Sequence, residues 1–148
     1  MRLLFGCDAD VAAWVAARIP HVGAAGFHSP AVAIGVVRDD GPIAAGMVYH
    51  DYQPDFGTIQ ASMAAATPMW ARREIVAGLL GYPFLQLGCF KVWTATPIDN
   101  DAALKINRHV GFRQEAVLAH QFGRKRHAVI MRLTQPDFRR IYGDTVNG

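Results

Sequence analysis

The side chains whose type and spacing could do chemistry fall into a few groups. His50 stands beside Asp51 in "MVYHDYQ", an imidazole next to a carboxylate. That is the composition of a general base with an orienting partner. On an extended strand, however, neighbouring side chains point to opposite faces, and the plainer reading is an exposed histidine at a turn edge. Arg72 and Arg73 follow "TPMW", where a helix is expected to start. Forked guanidiniums beside free helical N–H groups grip anions; a solvated helix face is the competing reading. Asn100 and Asn107 place amides along "NDAALKINRHVGF". Glu115 and His120 lie in "FRQEAVLAHQF", and "GRKRH", Gly123 to His127, is a basic cluster that also suits an ordinary hairpin turn.

In "NDAALKINRHVGF" a turn of about 100° per residue brings Asn100, Ala103, Asn107 and Val110 into one narrow stripe. Asp99 or Asn100 can cap the helix start. Gly111 fits the left-handed position past its end, with Phe112 folding back toward Ile106. Small Ala103 lets another group approach, and the flanking amides make the stripe a candidate ligand wall. Alternatively Asn100 is only a cap and Asn107 borders solvent.

The elements that must position these groups follow from periodicity and punctuation. "DVAAWVAARI", Asp10 to Ile19, has helical spacing, with Asp8 or Asp10 as N-cap and Pro20 past its end. "HVGAAGFHSP" reads as loop. "AVAIGVV", the turn "RDDGP" and "IAAGMVYH" read as a hairpin, and "DYQPDFG" turns into "TIQASMAA". There Ile59, Met63 and Ala65 alternate with Thr58, Gln60 and Ser62, as in a half-buried strand. A helix is predicted from Thr67 as N-cap and Pro68 as first residue. Its apolar stripe is Val76, Leu79, Leu80 and Leu87; Gly78, Gly81 and Pro83 weaken its middle, so a kink or two pieces are expected. "KVWTAT" reads as a buried strand, "FRQEAVLAHQF", "GRKR" and "HAVIMRL" as a last hairpin, and "PDFRRIY" as a final helical turn. This order predicts an α+β arrangement with a mostly antiparallel sheet and a parallel crossover unit in its middle.

The 148 residues fit a single domain, 1–148. At 51% hydrophobic and 18% charged, the chain can fill a core and is not of disordered composition. A net charge of +3 favours anionic ligands but is too small to announce nucleic acid. Cys7 and Cys89 make no disulfide scaffold and have no metal-ligand spacing, so no metal is expected. The N-terminus is too short in its apolar part for a signal peptide, and Ile75 to Phe90 falls short of a bilayer span. A reducing cytoplasm is the default compartment.

The pattern Asn100, Ala103, Ile106, Gly111, Phe112 resembles the C-terminal motif of GNAT-type, acetyl-CoA-dependent N-acetyltransferases. "RQEAVLAHQF" and "HAVIMRL" look like that family's last two strands, with Glu115-Ala116 where a Glu-Gly pair often stands. "YPFLQLGCFKVWTAT" resembles its ribosomal-protein-acetyltransferase-like branch, and "PMWARREI" is similar to small bacterial and phage-borne members. The resemblance covers roughly Ala31 to Leu133. It implies a GNAT-like fold: a twisted, mixed sheet of six to seven strands, helices on both faces, and a splay between the fourth and fifth strands. Pantetheine would then pair with Thr58 to Ala65, and "ASMAAA" lets a ligand backbone approach. Pyrophosphate would meet the next helix start. This chain departs there: no glycine occurs between Gly57 and Gly78, and Pro68 removes a donor. N–H groups from Met69 to Arg73 and the Arg72 and Arg73 side chains remain. The cofactor-binding set so implied is Met63, Ala64, Ala65, Met69, Trp70, Arg72, Arg73, Asn100, Ala103 and Asn107.

The resemblance implies transfer of an acetyl group from acetyl-CoA to a primary amine, by direct attack in a ternary complex. The acceptor would be a protein or small-molecule amine; a homodimer is compatible, and nucleic acid and membrane partners are not expected. Deprotonating a lysine-like amine, pKa ~10.4, at pH 7 costs about 4.6 kcal/mol. An N–H near Met63 or Ala64 could hold the oxyanion. Many members carry a tyrosine acid where Asn107 stands; asparagine cannot donate a proton in that way. His50, Asn107, Glu115 and His120 are the catalytic candidates. The alternative is a non-catalytic CoA-, anion- or nucleic-acid-binding module on the same fold, with "GRKRH" as contact.

Overall fold

The computed structural model describes residues 1–28 and 30–147. Its frame is one seven-stranded sheet. The strands are β1 Arg2–Leu4, β2 Val32–Val37, β3 Ile43–Gln53, β4 Thr58–Ala65, β5 Lys91–Pro97, β6 Arg113–Leu118 and β7 Ala128–Thr134. They lie in the order β1-β2-β3-β4-β5-β7-β6, and only β4 and β5 are parallel. β3 and β4 pair without interruption from Ala45↔Ala65 to His50↔Gln60. β4 and β5 pair only at Thr58↔Lys91, Ile59↔Val92 and Gln60↔Trp93, and then diverge. This is the α+β architecture and the splay between fourth and fifth strands of a GNAT-like fold.

Helices cover both faces. α1 (Asp8–Ala16) packs Val11 and Val15 onto Ala33 and Val48 on one side. Gly46 of β3 permits this: a Cβ there would stand 2.6 Å from Val15 Cγ2. On the other side α2 (Arg73–Gly81), α3 (Asp101–Val110) and α4 (Gln135–Asn147) enclose the larger core, with Tyr49, Ile59, Leu79, Val92, Leu104 and Phe138 among its residues. Among the described residues no helix is long and apolar enough to cross a membrane.

Several boundaries differ from the sequence reading. β1 has only three residues and pairs with β2; so short an apolar piece gives no period to read. α1 starts at Asp8, and its cap residue, Cys7, makes no side-chain cap bond. Asp8 Oδ2 accepts from the Ala33 N–H at 3.2 Å, which ties α1 to β2. Thr67 and Pro68 do open a helical turn, but a 3₁₀ turn, Pro68–Trp70; α2 begins only at Arg73. The expected second piece is a π turn, Tyr82–Gln86, carrying Pro83. The final helical turn is a full helix, α4, since Phe138 and Tyr142, one turn apart, are buried, and Phe138 stacks on Phe84 at 4.8 Å. Ser29 of the predicted loop lies outside the described residues.

Candidate active site

The site grows out of the divergence of β4 and β5. The Ala66 N–H donates to Ala44 O across β3, so alternation turns the backbones of Ala64 and Ser62 toward β3. Those of Ala61, Met63 and Ala65 face β5, which moves away beyond the last paired residues, Gln60 and Trp93. On β5, the Ile98 N–H donates to His127 O, so Thr96 and Thr94 face β7, and Ala95 and Pro97 face the opening. Proline is tolerated inside this strand because its missing N–H points where no partner strand lies. Of the two N–H groups named as oxyanion donors, only that of Met63 faces the opening. Ala64 is corrected: its backbone bonds toward β3, and its side chain packs beside the α1 cluster. Thr94 Oγ1, on the first residue of β5 past the paired stretch, is buried and without a hydrogen-bond partner among the described residues.

On the α1 face, side chains of β4 and β5 line a cleft of about 360 Å³: Gln60 and Ser62 from β4, Trp93 and Ala95 from β5. The loop between α1 and β2 and the β6–β7 turn roof it, with His21 against Phe122 at 4.3 Å between ring centres. Partial burial and the nearby Arg126 charge push the His21 imidazole pKa down.

His50 forms the floor of this cleft. The reading that His50 and Asp51 diverge is corrected. Asp51 has φ +53°, and the β3–β4 register shifts between His50 and Gln53. This left-handed step, which aspartate tolerates better than most residues, swings the carboxylate back: His50 Nδ1 stands 2.6 Å from Asp51 Oδ2. His50 Nε2 lies 2.8 Å from Ser62 Oγ. An ionised carboxylate only accepts, so Nδ1 carries hydrogen and donates to Asp51; in the neutral imidazole Nε2 then accepts from the Ser62 hydroxyl. The His50 side chain is 11% exposed and that of Asp51 60%, so the imidazole is sheltered while its partner meets water. Phe27 covers the ring at 5.3 Å between centres.

The α2 end is more sparsely equipped. Met69 is exposed, and its N–H is taken by Thr67 Oγ1 at 3.3 Å. Trp70 is 2% exposed and packed in the core, which removes its side chain from the ligand set. Arg73 is turned onto α4: its Nε donates to Thr145 Oγ1 at 2.8 Å, and Nη2 donates to Ile141 O. Arg72 is the exposed N-cap residue of α2. The first N–H groups of α2 have no earlier carbonyl to bond, and Glu74 adds a negative charge to that turn.

On α3, Asn100 Oδ1 accepts from the Ala103 N–H at 3.2 Å and so is committed to the cap. The helix ends in a Schellman motif: Gly111 has φ +117°, and the Phe112 N–H bonds Asn107 O at 2.9 Å. Asn107 is 7% exposed, so it does not border solvent. Glu115 is held by Lys91 Nζ at 2.9 Å and Arg132 Nε at 3.4 Å, at the closed end of β5. His120 Nδ1 accepts from the Lys125 N–H at 2.8 Å and thereby shapes the turn. In "GRKRH", Arg126 is paired with Asp99 at 3.2 Å. Sequence reasoning passed over Ser62 because one serine on a strand carries no signal until its histidine, twelve residues earlier, is placed beside it.

No family profile and no curated protein sequence matches the chain. Solved structures do. A mutant form of the spermidine N-acetyltransferase SpeG of Vibrio cholerae aligns with TM-score 0.63 at 15% identity over 76% of this chain and 70% of that one. Mutant forms described as spermidine/spermine N-acetyltransferase SpeG, from the same organism, align with TM-score 0.67 at 16% identity over 77% and 72%. The V. cholerae enzyme in complex with CoA and spermine aligns with TM-score 0.64 at 16% identity over 74% and 69%. The chain thus has the fold of GNAT-type N-acetyltransferases.

Proposed function

We propose that this protein is an acyltransferase that moves an acetyl group from acetyl-CoA to an amine. The observation that carries this reading is the opening between β4 and β5, where the Ala61 carbonyl and backbone groups of Met63, Ala65 and Ala95 have lost their strand partners. An extended pantetheine arm bearing amides satisfies such edges as a further strand would. The orphaned hydroxyl of Thr94 fits a polar ligand in the same place. Arg72 and the first N–H groups of α2 are the proposed phosphate contacts, and the Ala103–Asn107 stripe of α3 the proposed wall.

In this reading the amine enters the cleft on the α1 face and attacks the thioester carbonyl directly. Its proton passes through Ser62 Oγ to His50 Nε2, and Asp51 stabilises the imidazolium. The Met63 N–H faces the place where the oxyanion forms. The thiolate leaves without a tyrosine acid, helped by its moderate basicity, pKa about 8.5. A protein amine agrees with the ribosomal-protein-type resemblance, and a polyamine with the named activity of the structural neighbours. Calorimetry with CoA, followed by thiol-release assays on a panel of both acceptor types, tests this. Failure to bind CoA at hundreds of micromolar would overturn it. CoA binding with no transfer to any amine would favour the non-catalytic module instead.

A further inference from the structure

We propose that Ser62, His50 and Asp51 form an acyl-transfer triad in which the Ser62 hydroxyl accepts an acyl group, so that the protein hydrolyses acyl thioesters and activated esters when no amine is bound. For thioesters the proposal rests on the reading that acyl-CoA lies between β4 and β5; for small esters it rests on the cleft alone.

An unactivated serine hydroxyl is a poor nucleophile. It becomes a useful one when a base stands within hydrogen-bond reach and a third group fixes that base. Both contacts are present: Ser62 Oγ to His50 Nε2 at 2.8 Å, and His50 Nδ1 to Asp51 Oδ2 at 2.6 Å. The residues come from β4, β3 and the left-handed step within β3, so tertiary structure brings them together. Such a constellation is recognised by geometry, not by chain order. Ser62 lines a cleft of about 360 Å³, with Gln60, Trp93 and Ala95 beside it, room enough for a short acyl group. The N–H of the next residue, Met63, faces the opening without a strand partner. A donor directly after the nucleophile is where serine hydrolases place one arm of their oxyanion hole.

The step balances with water alone. His50 Nε2 takes the hydroxyl proton as Ser62 Oγ bonds to the acyl carbon. The bond from that carbon to sulfur, or to ester oxygen, breaks, and the departing atom takes the electron pair and then the proton from Nε2. Water then attacks the serine ester and gives a proton to Nε2; the carbon–Oγ bond breaks, and Oγ recovers that proton. One thioester or ester and one water become one carboxylic acid and one thiol or alcohol.

The test uses the full chain with p-nitrophenyl acetate and, separately, acetyl-CoA, without an amine. We expect nitrophenolate release and one acetyl group that peptide mapping places on Ser62. Ser62→Ala should abolish that label and slow turnover by about a hundredfold or more, Ser62→Cys should keep a label at position 62, and Asp51→Asn should slow acylation. Label on another residue, or equal rates for wild type and Ser62→Ala, would overturn the triad. CoA calorimetry on the same sample separates the two readings. Acylation by the nitrophenyl ester without CoA binding leaves the triad and removes the transferase; CoA binding with no acylation or hydrolysis removes the triad alone.

Discussion

On the α1 face of the opening between β4 and β5, Asp51, His50 and Ser62 stand in a hydrogen-bonded line. At the α2 end, where an anion would lie, the equivalent parts are elsewhere: Arg73 is turned onto α4, and Trp70 is buried. That leaves Arg72 and the N–H groups of the first turn as the proposed phosphate contacts, with Glu74 opposing them. One end is pre-organised by side chains from two strands; the other relies on helix-end donors and one long, exposed arginine. Chemistry gains most from fixed geometry, since misplaced groups lose rate steeply. Phosphate binding tolerates a looser arrangement, because charge attraction falls off slowly with distance.

The largest effect should come from the pre-organised end. His50→Gln is expected to lower amine transfer by about 10²–10⁴-fold, the usual worth of a positioned base, with CoA affinity unchanged by calorimetry. Equal losses in both would break the contrast between the ends. At the other end, Arg72→Ala should weaken CoA binding by about tenfold, the lower range for a charged hydrogen bond, with turnover at saturating CoA preserved. Arg73→Ala should behave differently from its neighbour. It removes the contacts to Thr145 and Ile141, so about 1 kcal/mol of stability should disappear in urea titration while CoA affinity stays.

A smaller effect reads the core beneath α2 and α4. Tyr142 donates to Val110 O at 2.6 Å and Tyr49 to Leu79 O at 2.7 Å. Burial holds both phenols protonated, raising Tyr142 from 10.0 to about 12 and Tyr49 well above 10.0. A raised folded-state pKa contributes stability that is complete below the unfolded value and is lost as pH rises through the folded one. Thermal midpoints should therefore hold up to about pH 10 and fall beyond it, less steeply in Tyr142→Phe. An unchanged slope in that variant would show that Tyr142 is not the group responsible.

How much was legible depended on range. The β4 alternation, the Asn100 cap and the Gly111 stop were all readable, since each is set by residues within a few positions. β1 and the length of α4 were not: β1 is too short for a period, and α4 is held by Phe84, far away in sequence. His50 and Asp51 were readable as a pair, but strand alternation argued them apart. Only the register shift and the positive φ at Asp51 reversed that.

The residues alone settled the order of the elements from α1 to β7, the two ends of α3 and the small residues on β4, because these follow from local sterics and hydrophobic period. Tertiary structure alone decided that β4 and β5 part after Gln60, that Arg73 is held by α4, and that Ser62 meets His50. Each of these depends on where distant segments pack, and no local propensity encodes a contact whose two partners are joined only by the fold.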